Sequence, residues 1–198
     1  MIKISDPIGH HDWSSKEYVL QWAERQDKQG DDRRQQFQLL ADMLPFDSAA
    51  SIRFLELGAG YGALSQVLLN HFPKSKAVCH DGSEEMSKLG NRRMIRLKGR
   101  FGYVISDFGK KNWSKVVRGR FNVVVSSNAI HNVRGQDAIR NIYQEVYPLI
   151  KPGGCFMNLD RVGYYNRRHI QWLKSAGFKA ADFFWKGPRM TILGGFRY

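Results

Sequence analysis

Residues Phe54-Leu55-Glu56-Leu57-Gly58-Ala59-Gly60-Tyr61-Gly62 run from a short apolar stretch straight into three alternating glycines. Such a run ends a strand in a tight turn and then opens a helix, because glycine takes left-handed backbone without penalty. With no Cβ at 58, 60 and 62, a ligand can lie against the backbone. The helix that follows offers unpaired N–H groups and a positive dipole end to a carboxylate or phosphate. The unit confines the chain to α/β architectures with a parallel sheet. One glycine-rich turn is a weak functional signal, so its neighbours must decide.

From Arg53 onward, short apolar runs alternate with amphipathic stretches, the pattern of βαβ units. It predicts strands over 53–57, 76–80, 103–106, 121–126, 155–159, 178–185 and 191–196. Helices are predicted over 63–72, 83–97, 136–150 and 166–176. Only Lys186-Gly187-Pro188-Arg189-Met190 separates the last two strands, so they should form an antiparallel hairpin. The first fifty residues read as helical. Ser14 and Glu17 have capping-box spacing, with Tyr18, Trp22 and Arg25 at helical intervals behind them. A break at Gln29-Gly30-Asp31-Asp32 precedes a second helix that carries Phe37, Leu39, Leu40 and Met43 and stops at Pro45. The 198 residues therefore divide into a helical lid, 1–50, and an α/β domain, 51–198.

Three neighbours give the glycine turn meaning. Asp81 ends the second strand, where an acid can accept both hydroxyls of a ribose. Asp107-Phe108 ends the third, a polar and aromatic pair able to hold an adenine amino group and ring. Leu149-Ile150-Lys151-Pro152-Gly153-Gly154 makes a helix-to-strand turn downstream. Taken in order with Asp81-x-Ser83-x-x-Met86 and Ser126-Ser127-Asn128-Ala129-Ile130-His131, this set resembles the class I S-adenosylmethionine-dependent methyltransferases over roughly residues 50–198. The resemblance implies an α/β fold: a seven-stranded, mostly parallel Rossmann-like sheet with helices on both faces, only the last strand antiparallel. It implies S-adenosyl-L-methionine as cofactor and S-adenosyl-L-homocysteine as product. Glu56, Gly58, Ala59 and Gly60 would sit around the methionine part, Asp81 and Gly82 at the ribose, and Ser106, Asp107 and Phe108 at the adenine. A nicotinamide reading also exists, since Gly58-x-Gly60-x-x-Ala63 satisfies the dinucleotide fingerprint. Glu56 inside the first strand, the position of Asp107 and the lack of chain for a second domain count against it.

Methyl transfer from a sulfonium needs chiefly positioning, and a base only where the nucleophile must lose a proton. His131, at the carboxyl end of the fourth strand, is the candidate base. Ser127 and Asn128 on the same turn could line the cofactor or orient the acceptor. No Asn/Asp-Pro-Pro-Tyr/Phe motif, Pro-Cys pair or paired-acid metal site is visible, so the expectation is an O or N nucleophile of a small metabolite and no metal. Trp13 and Tyr18 on the lid would close over the methyl group. Few residues follow the fifth strand, which leaves no helical roof there. The site should be open, or roofed by the lid or a second copy of the chain, with Tyr164, Tyr165, Arg167, Arg168 and His169 on its rim.

Charge adds an alternative. The net charge is +13, and residues 88–120 carry eleven basic side chains against the single acid Asp107. A block like this either stays solvated or meets an anion, which admits RNA as an alternative acceptor. A third reading is a non-catalytic, cofactor-binding scaffold for a partner. No apolar run approaches the roughly 20 residues of a membrane span. The N-terminus has no basic segment followed by an apolar one. Cys79 and Cys155, outside any ligand spacing, fall in predicted strands and should be buried and inert. A cytoplasmic protein without membrane contact is expected, able to form a homo-oligomer.

Overall fold

A computed structural model describes residues 11–28, 30–161 and 167–198. Tyr164 and Tyr165 lie outside the described residues. The elements are helices α1 (Lys16–Asp27) and α2 (Gly30–Asp42), then β1 (Arg53–Leu57), α3 (Ala63–His71), β2 (Lys76–Asp81), α4 (Glu84–Arg93), β3 (Phe101–Ile105) and β4 (Phe121–Ser127). They continue with α5 (Gln136–Leu149), β5 (Ile150–Arg161), α6 (Arg167–Ala176), β6 (Lys179–Lys186) and β7 (Met190–Arg197). The seven strands form one sheet in the order β3-β2-β1-β4-β5-β7-β6. β1 pairs in parallel with both β2 and β4, as β2 does with β3 and β4 with β5, whereas β7 runs antiparallel to β5 and β6. The hairpin expectation holds. The sheet as a whole is mixed rather than mostly parallel, because β7 inserts between β5 and β6 and reverses two pairings.

Both faces of the sheet are covered, so its central strands are apolar almost throughout. Phe54, Cys79, Val123, Val125 and Met157 face α2 and α3, while Leu55, Leu57, Val124 and Phe156 face α5 and α6. Val19 and Ala23 of α1 pack on Met86 and Leu89 of α4, with Tyr61 of the glycine turn between them. The cap of α1 is Ser15, whose Oγ accepts the Tyr18 N–H at 3.2 Å; the Ser14 hydroxyl instead donates to Asp12. Ser83 caps α4 in the same way and also donates to the Trp13 carbonyl, which ties the segment before α1 to the end of β2. Glu84 and Glu85 open α4, and Arg92 and Arg93 close it, complementing its dipole.

Chain order reverses between β1 and β4, which places β1's outgoing turn and β4's outgoing turn side by side. In an open α/β sheet the crevice at this point, outside the carboxyl ends of the strands, is where ligands bind.

Candidate functional site

A cavity of about 560 Å³ opens at that crevice. Its floor is the glycine turn. Gly58, Gly60 and Gly62 all have positive φ, at 65°, 54° and 79°. At Gly58 the need is steric as well, since a Cβ there would lie 2.2 Å from the Ala129 Cβ. Glu56 is buried, and its Oε2 accepts the Ser65 N–H at 2.9 Å and the Ser65 hydroxyl, so the β1 acid caps the first turn of α3. Burial pushes the Glu56 carboxyl up to about 8 against those hydrogen bonds and the charge of Arg33.

Asp81 cross-links the floor. Its Oδ2 accepts the Gly60 N–H at 2.7 Å and its Oδ1 the Ser83 N–H at 2.8 Å, so the carboxylate holds the glycine turn and the start of α4 together. Burial raises its pKa, opposed by the backbone donors. Gly82, Asp107 and Phe108 line the cavity beside it. Asp107 is exposed and folds its Oδ1 back on the Gly109 N–H at 2.8 Å, and Phe108 lies against Gly58.

The far wall follows β4. Ser127 and Asn128 line it, the latter at φ 51° with its N–H held by the Leu159 carbonyl at 3.0 Å. The Ser127 Oγ is buried with no hydrogen-bond partner among the described residues. His131 sits in a short 3-10 turn over Ile130–Asn132, largely buried but on the cavity wall. Its Nδ1 lies 2.6 Å from Oδ1 of the fully buried Asp160, near the end of β5. With Nδ1–H donating to that carboxylate, the lone pair of the neutral ring sits on Nε2.

Trp13 before α1, Trp22 and Gln26 of α1, and Arg33 and Phe37 of α2 line the remaining side. Twelve predicted residues therefore meet at one cavity: Trp13, Glu56, Gly58, Ala59, Gly60, Asp81, Gly82, Asp107, Phe108, Ser127, Asn128 and His131. Three described ones stand apart. Ser106 turns its Oγ to Nε2 of the buried His80 at 2.6 Å, away from the lining. Tyr18 backs Trp13 edge-on at 5.3 Å and bonds His11. Arg168 is exposed on α6, and its neighbour His169 turns inward to the Tyr143 hydroxyl at 2.9 Å, so α6 does not form the rim. Asp160, Arg134 and Arg161 went unmarked in the sequence. The signal for Asp160 was an acid at the end of an apolar strand, where a buried charge needs a partner.

Cys79 and Cys155 are buried free thiols; burial pushes Cys155 up to about 12 and Cys79 further, so both are inert. Burial drives His80 and His169 the other way, each down to about 4 from an ordinary 6.5. A depressed folded-state value means that the unfolded chain binds those protons first, so stability falls as pH drops from 6.5 toward 4. The raised Glu56 acts with opposite sign: its contribution is lost as pH rises from 4.5 through about 8. Denaturant titrations across this range should show both limbs. His80→Phe should flatten the acid one and Glu56→Gln the alkaline one; a flat wild-type profile would contradict both assignments.

Comparison with known proteins gives a consistent result. A family model described as methyltransferase domain matches residues 55–156. A demethylmenaquinone methyltransferase of Leptospira interrogans is 30% identical over 135 residues, covering 67% of this chain and 49% of the relative. The chain spans about half the length of the curated relatives it matches. A TehB-like SAM-dependent methyltransferase from Corynebacterium glutamicum superposes with a TM-score of 0.73 at 12% identity, over 93% of this chain and 100% of that one. Human N-acetylserotonin methyltransferase, solved with SAM, gives 0.70 at 16% identity, over 92% and 56% of the two chains. At such identities the likeness to the solved structures concerns the fold.

Proposed function

The chain belongs to the methyltransferase domain family, and from that premise we propose that it is a class I enzyme moving a methyl group from S-adenosylmethionine to an oxygen or nitrogen of a small metabolite. One juxtaposition carries the reading: a glycine turn braced by Asp81 faces the same cavity as His131 held by Asp160. The residues fit the cofactor. The Cβ position at Gly60 is open, with nothing nearer than the Met86 sulfur at 3.9 Å, and Ser127 presents a buried hydroxyl with no partner among the described residues. Glu56, Gly58, Ala59 and Gly60 would hold the methionine part, Asp81 and Gly82 the ribose, and Asp107 and Phe108 the adenine.

Bound S-adenosylmethionine supplies a methyl group already activated by its positive sulfur. The chain supplies position, dryness and a proton acceptor. Trp13, Trp22 and Phe37 keep water from the cavity, which strengthens every polar contact inside it. His131, oriented through Nδ1 by Asp160, takes the acceptor's proton at Nε2, and the nearby carboxylate stabilises the imidazolium that results. The Leptospira relative is named for methylating demethylmenaquinone, which favours a small acceptor here.

Incubating the protein with methyl-labelled S-adenosylmethionine and fractionated metabolites should label a small molecule. Label appearing in RNA alone would replace the acceptor class. A specific observation keeps that second reading in play: Arg92, Arg96, Lys98, Lys110, Lys111, Lys115, Arg118 and Arg120 are exposed and form no ion pair among the described residues. RNA binding that weakens steeply with salt would support it. Among the described residues no helix is long and apolar enough to cross a membrane. A cytoplasmic setting and a lid at 1–50 over a catalytic domain at 51–198 belong to the same proposal, as does a homo-oligomer.

A further inference from the structure

Arg33 is a cation held in an aromatic box and makes no ion pair within 4 Å among the described residues. Its guanidinium lies 5.0 Å from the Phe37 ring centroid, 5.4 Å from that of Tyr61 and 6.0 Å from that of Trp22. Nη1 donates to the Tyr61 hydroxyl, while Nε–H is buried with no partner among the described residues. The nearby carboxylate of Asp27 is already taken: both its oxygens accept from Arg93, at 3.0 and 2.8 Å, and Oδ1 accepts from Tyr61 as well. Arg33 itself lines the cavity on the side of Glu56 and the glycine turn. A buried, unpaired donor on a charged group costs free energy until an anion reaches it.

Resting on the cofactor reading above, we propose that Arg33 binds the carboxylate of the cofactor's amino-acid tail and thereby fastens α1 and α2 over the site. The guanidinium suits the carboxylate of that tail, and Arg33 and Glu56 line the same cavity. Arg33 belongs to α2, Asp27 ends α1, Arg93 ends α4, and Tyr61 stands in the glycine turn. These contacts already join both lid helices to the floor, and an anion on Arg33 adds the bound ligand to the same network. A nucleoside without the tail fills the adenosine part and adds nothing to that network.

Calorimetric titration with S-adenosylhomocysteine and with 5′-methylthioadenosine, which lacks the tail, separates the two parts. Arg33→Gln should weaken S-adenosylhomocysteine by about 10- to 100-fold, the range of a hydrogen-bonded charge. The same change should leave methylthioadenosine nearly unaltered, which also certifies the variant's fold; Arg33→Lys should recover part of the loss. In hydrogen exchange, S-adenosylhomocysteine should protect the α1 and α2 amides of the wild type, and methylthioadenosine should not. Equal losses for both ligands, or unchanged S-adenosylhomocysteine affinity in Arg33→Gln, would overturn the inference alone. A wild type that binds neither nucleoside would overturn the cofactor reading together with it.

Discussion

His131→Asn is expected to lower methyl-transfer turnover by about 100- to 10,000-fold, the usual contribution of a positioned base, with little change in S-adenosylhomocysteine affinity. The imidazole sits on the cavity wall, whereas the cofactor contacts are assigned to the glycine turn and Asp81. Asparagine keeps a side-chain donor for the fully buried Asp160. Asp160→Asn should retain the packing and the acceptor while removing the charge that stabilises the imidazolium. Its turnover should fall between those of wild type and His131→Asn. A purely structural role predicts the reverse pattern for His131→Asn, lowered stability with turnover per folded molecule unchanged.

Gly58→Ala should abolish cofactor binding and destabilise the protein by about 2–4 kcal/mol, combining left-handed strain with overpacking. The added methyl would meet the Ala129 Cβ at 2.2 Å, and Ala129 is fixed between the ends of β4 and the 3-10 turn that carries His131. The Ala129 Cβ is fixed to its own backbone, so the clash must move backbone. Gly60→Ala is the internal comparison. Its Cβ would meet nothing nearer than the Met86 sulfur at 3.9 Å, so the cost there should be only the backbone strain, about 1–2 kcal/mol. Equal destabilisation of the two variants would mean that the crevice between β1 and β4 is looser than the structure has it.

The sheet was readable because each strand is a short apolar run bounded by turn residues, and covered faces demand such runs. Its edges were less readable. β5 begins at Ile150 rather than near Cys155 because Ile150 already pairs with Phe121, and Lys151-Pro152-Gly153-Gly154 bulges out before the ladder resumes at Val123 and Cys155. The helix expected over 83–97 breaks after Arg93, where Met94 leaves helical geometry and a 3-10 turn follows. At the site, the glycine turn, Asp81 and His131 were legible as local motifs at strand ends. Asp160 was not, because a carboxylate 29 residues from its histidine becomes a partner only through the fold. Ser106 misled for a related reason: its position on the strand is right, but the buried ring of His80, inconspicuous in sequence, claims its hydroxyl.

The central claim is that the braced glycine turn holds an adenosyl amino acid. Calorimetric titration of the wild-type protein with S-adenosylhomocysteine, with NADH as the comparison and Asp81→Ala as the variant, tests it most directly. The account predicts binding of the first ligand, none of the second, and a large loss in Asp81→Ala, which gives up the ribose acceptor and the link between Gly60 and Ser83 together. A folded wild type that ignores S-adenosylhomocysteine, or prefers NADH, would contradict it.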